Sequence, residues 1–174
     1  MLLRVPSFLL FLLFVFSCNN AEDANNLLDD NKEAQTSEIT AKKIEGLQYL
    51  DYALSTEAIA EVIDWPMFQE LQTQMNYLKQ ADLSFFTSER KVLDSLMLDL
   101  RIQTPEKLKT KPILARINVV KTKVLKLHSN LILDNVATEV KIESIRELLQ
   151  STSNLNLQIN KKLEFDTFNK ISAD

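Results

Sequence analysis

Residues 112–133 read PILARINVVKTKVLKLHSNLIL, and this stretch decides the fold. Ile113, Ile117, Val120, Val124, Leu127 and Leu131 recur at spacings of 4, 3, 4, 3 and 4. Such spacing lines one face of an α-helix with a heptad seam. The seam is shorter than three heptads, so it does not demand a long coiled coil. Leu114, Leu125 and Ile132 widen the apolar stripe on one side, as in a helix that touches two neighbours. Pro112 suits the first turn, where its missing N–H has no partner to lose.

The same period extends outward in both directions. On the N-terminal side, Pro105 and Pro112 bracket a loop, TPEKLKTKP. Before it, Val92 or Leu93, Leu96 and Leu100 repeat the helical step after a start signal at Thr87-Ser88, with Glu89 in the first turn. Phe85-Phe86 precedes that start and is placed to staple the helix entry. Phe68, Leu71, Met75 and Leu78 share a face of an earlier helix that Trp65-Pro66 opens. Trp65 is expected to cover one end of the assembly, because its side chain buries much apolar surface. Glu57 to Ile63 forms a shorter helical piece after Ser55-Thr56. On the C-terminal side a last helix runs through Ile145, Leu148, Thr152, Leu155 and Ile159. Ser151 to Asn154 has weak helix propensity and leaves room for a break there. These segments predict an all-α fold: an antiparallel bundle of about four main helices plus a short leading helix, in residues 45–174. That length buries one core. No period of 30 to 45 residues recurs, so the chain does not read as a helical repeat.

Composition removes whole classes of function. The 174 residues contain one glycine, Gly46, and four prolines. Glycine-rich phosphate loops and dinucleotide fingerprints need residues that tolerate positive φ, and the chain lacks them. One histidine and one cysteine leave almost no room for metal sites or Cys/His catalysis. Hence no metal, no cofactor and no enzymatic activity are expected. Glu139, Glu143 and Glu147 form an i, i+4 ladder of the ordinary exposed kind. Three residues before His128 stands Leu125, so the Glu-x-x-His pair of di-iron bundles is absent. His128 lies about 60° from the centre of the seam, at the core edge. With Met75 or Met97 facing inward, it permits an alternative reading: a sensor bundle holding a small apolar ligand or a haem. Inward methionines are more often gap fillers.

Charge is unevenly spread. Residues 18–64 hold eleven acids and three bases, whereas residues 107–133 hold seven bases and no acid. Arg116, Lys123 and Lys126 fall on one flank of the 112–133 helix, and Lys107, Lys109 and Lys111 lie in the loop before it. These six residues are the candidate contact region, facing an acidic envelope protein or anionic lipid head groups. The competing reading is a solvated face whose charge complements acids on neighbouring helices, which is what charge runs usually are.

The N-terminus supplies an address. Arg4 precedes an unbroken apolar run from Phe8 to Phe16, which ends at Ser17-Cys18. About 20 apolar residues are needed to span a bilayer core, so this run has the proportions of a signal peptide. Val15-Phe16-Ser17-Cys18 resembles the lipobox of bacterial lipoproteins, with Phe16 larger than the residue usual at its position. The resemblance covers about the first twenty residues. It implies removal of residues 1–17 and acylation of Cys18, with palmitate-type chains that hold the protein to a membrane. Without Arg4 the chain has 19 bases against 24 acids, a net charge of −5. In that family an Asp directly after the cysteine implies retention at the inner membrane, and Asn19 therefore points to the outer membrane. Residues 18–44 then read as the lipidated cysteine and a disordered acidic tether, since they hold too few apolar side chains to offset their ordering entropy. The twenty-six residues from Asn19 to Ile44 span roughly 30 Å root-mean-square as a coil. An exported, lipid-anchored domain of this kind is expected to act as an interaction or scaffold component of the cell envelope, away from nucleic acid.

Overall fold

The computed structural model describes residues 38–172. The expected signal peptide, Cys18 and the tether up to residue 37 lie outside the described residues. Six α-helices follow in order: α1 (Ala41–Glu45), α2 (Thr56–Val62), α3 (Pro66–Lys79), α4 (Arg90–Ile102), α5 (Lys111–Ile132) and α6 (Thr138–Ile171). A 3₁₀ turn, Glu106–Leu108, sits in the loop before α5. No strand occurs among the described residues, and the fold is a helical bundle.

The four long helices α3 to α6 alternate in direction, as their cross-links show. The Arg101 guanidinium donates to the Leu114 carbonyl at 3.3 Å and to Asn118 Oδ1 at 3.1 Å. Seven residues back along α4, Asp94 meets Lys121, seven residues further along α5. Between α5 and α6, Asn130 Nδ2 donates to Ser144 Oγ at 2.6 Å, and Lys126 meets Glu147. Between α3 and α6, Met75 Sδ accepts from Thr152 Oγ1 at 3.5 Å and Gln72 Nε2 donates to Asn156 Oδ1 at 3.4 Å. Helix α6 therefore closes the ring against both α5 and α3.

The heptad of α5 forms the middle of the core. Ile113, Ile117, Val120, Val124 and Leu127 are buried to within 1%. Leu131, Leu114 and Leu125 are half-buried against them, while Ile132 is exposed at the helix end. Leu71, Met75 and Leu78 of α3, Leu93, Met97 and Leu100 of α4, and Ile145, Leu148, Leu155 and Ile159 of α6 complete the cluster. Leu93 and not Val92 is the inward residue. Trp65 is fully buried and stacks on Phe68, with ring centroids 5.1 Å apart. Its indole N–H has no hydrogen-bond partner among the described residues.

Three local expectations change. Helix α6 runs without a break through Ser151–Asn154. Its hydroxyls bond back to the helix itself: Ser151 and Thr152 both donate to the Leu148 carbonyl, at 2.8 and 3.1 Å. Helix α4 starts at Arg90, later than Thr87-Ser88 suggests, and Glu89 provides no side-chain cap. The two hydroxyls close the preceding turn instead, Ser88 Oγ donating to Phe85 O at 2.6 Å and Thr87 Oγ1 to Leu83 O at 3.2 Å. Helix α5 begins at Lys111 and holds Pro112 in its first turn, as expected. The folded part also begins earlier than a tether running to residue 44 allows. Thr40 caps α1, its side chain accepting from the Lys43 N–H at 3.3 Å, and Ile44 is 2% exposed. Ile44, with half-buried Ile39 and Leu47 on either side, packs this turn onto the bundle, where it touches α3 and α6.

Candidate functional site

The basic flank comes together with acids. Lys107 Nζ lies 2.5 Å from Glu61 Oε2 on α2, and Lys109 lies 2.9 Å from Glu106. Lys123 and Lys126 share Glu147 of α6, at 3.2 and 2.7 Å. Lys121 pairs with Asp94 at 3.0 Å. Lys111 and Arg116 are exposed and form no ion pair among the described residues. Hydrogen bonding from Lys126 holds the Glu147 carboxyl below its ordinary value; partial burial opposes this, and Lys123 adds to it. Asp94 is likewise lowered, chiefly by its bond from Lys121. Most of this positive charge is thus answered inside the bundle. Glu147 is no free rung of a solvated ladder: its side chain is only 22% exposed. Glu143 pairs with Arg146 in the turn before it.

His128 is buried, with Nδ1 at 3.0 Å from the Phe86 carbonyl. A proton on Nδ1 would be donated to that oxygen. The link ties α5 to the loop before α4. Met75 holds the Thr152 hydroxyl, and Met97 is 1% exposed in the core cluster. Each of the three side chains has a structural task, and no observation joins them around a ligand. Among the described residues, no group of three His, Cys, Asp or Glu is placed to hold a metal ion. No helix among them is long and apolar enough to cross a membrane.

Two features escaped sequence reasoning. The first is an extended strap, residues 47–55, laid along α6. The Leu50 N–H donates to Gln150 Oε1 at 3.1 Å, and the Leu50 carbonyl accepts from Ser153 Oγ at 2.5 Å. The Tyr52 N–H lies 2.7 Å from Ser153 Oγ, and the Tyr52 carbonyl accepts from Asn156 Nδ2 at 3.1 Å. Asn160 closes the series, donating to Ala53 O at 2.8 Å and accepting from the Ser55 N–H at 2.9 Å. Ser55 then caps α2 through the Ala58 N–H. Asp51 accepts from Lys79 at 2.8 Å and from the Tyr49 hydroxyl at 3.2 Å, fixing the start of the strap to the end of α3. Burial works against the Lys79 charge, but Asp51 and Tyr49 outweigh it and raise its pKa. Beside the strap lies an open groove of about 620 Å³, bordered by Tyr52, Ile59, Val62, Phe68, Gln72 and Asn156. The signal was present as Gln, Ser, Asn and Asn at 150, 153, 156 and 160, one polar helical stripe.

The second feature is the end of α6. Past Leu163, the last buried residue, the helix continues to Ile171. Phe165, Phe168 and Ile171 are 61%, 67% and 73% exposed. Two three-residue steps keep them on neighbouring parts of one face. Isolated exposed apolar residues are ordinary, but contiguous ones mark contact sites. A groove of about 470 Å³ leads from this tip to the start of α2, between Leu163, Thr167, Phe168, Ile171 and Ser55.

No family model, no curated protein and no solved structure matches the chain.

Proposed function

We propose that this protein is an exported lipoprotein, anchored through acylated Cys18, whose helical bundle works by contact with an envelope protein and performs no reaction of its own. The observation that carries this reading is Val15-Phe16-Ser17-Cys18 at the end of a signal-like apolar run. Two or more acyl chains make anchoring stable, so the domain stays within tether reach of a membrane. Asn19 assigns it to the outer membrane in this reading. The contact surface is the exposed tip of α6, Phe165, Phe168 and Ile171, because apolar aromatic patches contribute most to interfaces. Of the basic flank, Lys111 and Arg116 are the cations left for a partner, and they steer approach more than they hold it.

Crosslinking in intact cells, followed by detergent extraction and mass spectrometry, tests this. The expected result is one dominant protein partner, lost in Cys18→Ala and in the double variant Phe165→Glu, Phe168→Glu. No partner in the parent cells overturns the contact reading. A partner retained by the double variant moves the surface to Lys111 and Arg116.

A further inference from the structure

The strap is attached in an unusual way. No residue from 47 to 55 is buried, and Leu50 and Ala53 are exposed. Its polar hold on α6 comes from the side chains of Gln150, Ser153, Asn156 and Asn160, which reach strap backbone between Leu50 and Ser55, and its apolar hold is confined to the half-buried Leu47, Tyr49 and Leu54, which pack against the core. The registers agree: ten residues of helix rise about 15 Å, and five of extended chain span about 17 Å. Upstream, the buried side chain of α1 is Ile44; downstream, Ala58 and Val62 fix α2. Helices α3 to α6 meet in turn along the chain, and α6 also reaches α3 directly through Thr152 and Met75; the strap adds to that last seam through Asp51 and Lys79 but is not its sole link. Segments with few buried apolar contacts and exposed hydrogen bonds are the ones that open before the core.

We infer that residues 39–55 are a latch, which comes off α6 as a unit under tension on its N-terminal side while α3 to α6 stay folded. The chain that leads into Ile39 is the one that carries Cys18. A pull between membrane and domain therefore meets α1 and the strap before any long helix. Release bares a row of amide and hydroxyl groups at the spacing of an extended backbone, so a pull becomes a change of exposed surface. The physiological pull rests on the anchored reading above; the mechanics of the latch do not.

Single-molecule force measurement on the full chain tests it without acylation. Cys18→Ser removes the one native cysteine, and Ser37→Cys and Ser172→Cys take the handles. The expected record has two steps. A short first step frees about 17 residues, at most roughly 60 Å of contour, and reverses on relaxation. The core then unfolds at higher force. Asn160→Ala, which removes two rungs from a half-buried position, shortens the lifetime of the latched state at fixed force roughly tenfold. The second step stays where it was. Gln150→Ala, at the other end of the ladder, shortens it as well. One all-or-none step in the parent overturns the latch, as does a first step that neither variant moves. An unacylated Cys18 in cells would leave these records unchanged and would remove only the membrane as the source of tension.

Discussion

The chain places its one glycine where none is needed and an alanine where a glycine would serve. Ala81 follows α3 with φ of 64°, the left-handed region. Its N–H bonds to the Leu78 carbonyl at 3.0 Å, and the Asp82 N–H to the Tyr77 carbonyl at 3.0 Å, which is the Schellman pattern of a helix end. An L-residue in that conformation costs roughly 1–2 kcal/mol. Glycine would remove that cost, but it would loosen the unfolded chain and give up a half-buried methyl group that touches the core. Those two losses are about 0.5 kcal/mol each. Ala81→Gly should therefore stabilise the domain by about 0–1 kcal/mol. Gly46 has φ of −72° and ψ of −5°, which any residue adopts. A Cβ there would meet Lys42 O at 3.5 Å and Lys43 O at 3.6 Å, ordinary contacts. Gly46→Ala should gain about 0.4–1 kcal/mol through the unfolded state. Urea denaturation followed by far-UV circular dichroism reads both as a higher midpoint at unchanged slope. A lower midpoint for Ala81→Gly would refute the left-handed end of α3. A lower midpoint for Gly46→Ala would refute the helical conformation at Gly46.

Other expectations follow from the core and the charges. Glu147 is held below its ordinary carboxyl value by Lys126, so its contribution is present at neutral pH and is lost as pH falls through the lowered value. Stability should thus decline below about pH 4.5, and Glu147→Gln should flatten part of that decline while costing about 1 kcal/mol at pH 7, measured by thermal melts across pH. Leu155→Ala, at a fully buried site on the α6 seam, should cost about 2–5 kcal/mol in the same melts. Phe168→Glu should change stability by less than about 0.5 kcal/mol, because the side chain is 67% exposed, while reducing crosslinking to a partner in cells.

The bundle was legible because one physical rule generates it. Apolar residues at three- and four-residue steps must share a face, and Phe68 to Leu78, Leu93 to Leu100 and Ile113 to Leu127 became core accordingly. Helix ends were less legible. Thr87 and Ser88 look like caps, yet their hydroxyls find carbonyls of the preceding turn, a choice decided by local backbone geometry. The polar run Ser151–Asn154 looked like a weak point because helix propensity assumes water on the open side. In the structure Ser151 and Thr152 are buried and bond back to the Leu148 carbonyl, while Ser153 faces residues 50–53, about a hundred positions away in sequence, and satisfies backbone there. The same distance hid the fate of the basic flank. A window from 107 to 133 contains no acid, but Glu61, Asp94 and Glu147 arrive from other helices and take up Lys107, Lys121, Lys123 and Lys126. Pattern within a segment reveals which face is apolar; pairing between segments appears only once they are folded together.

The central claim, a contact protein held to a membrane through its N-terminal cysteine, is tested most directly by mass spectrometry of the protein purified from detergent-extracted envelopes. The account predicts a chain that begins at Cys18, with a diacylglyceryl thioether on sulfur and an acyl group on the amine, and no such species from Cys18→Ala cells. A chain beginning at any other residue, or a free thiol at Cys18, would contradict it.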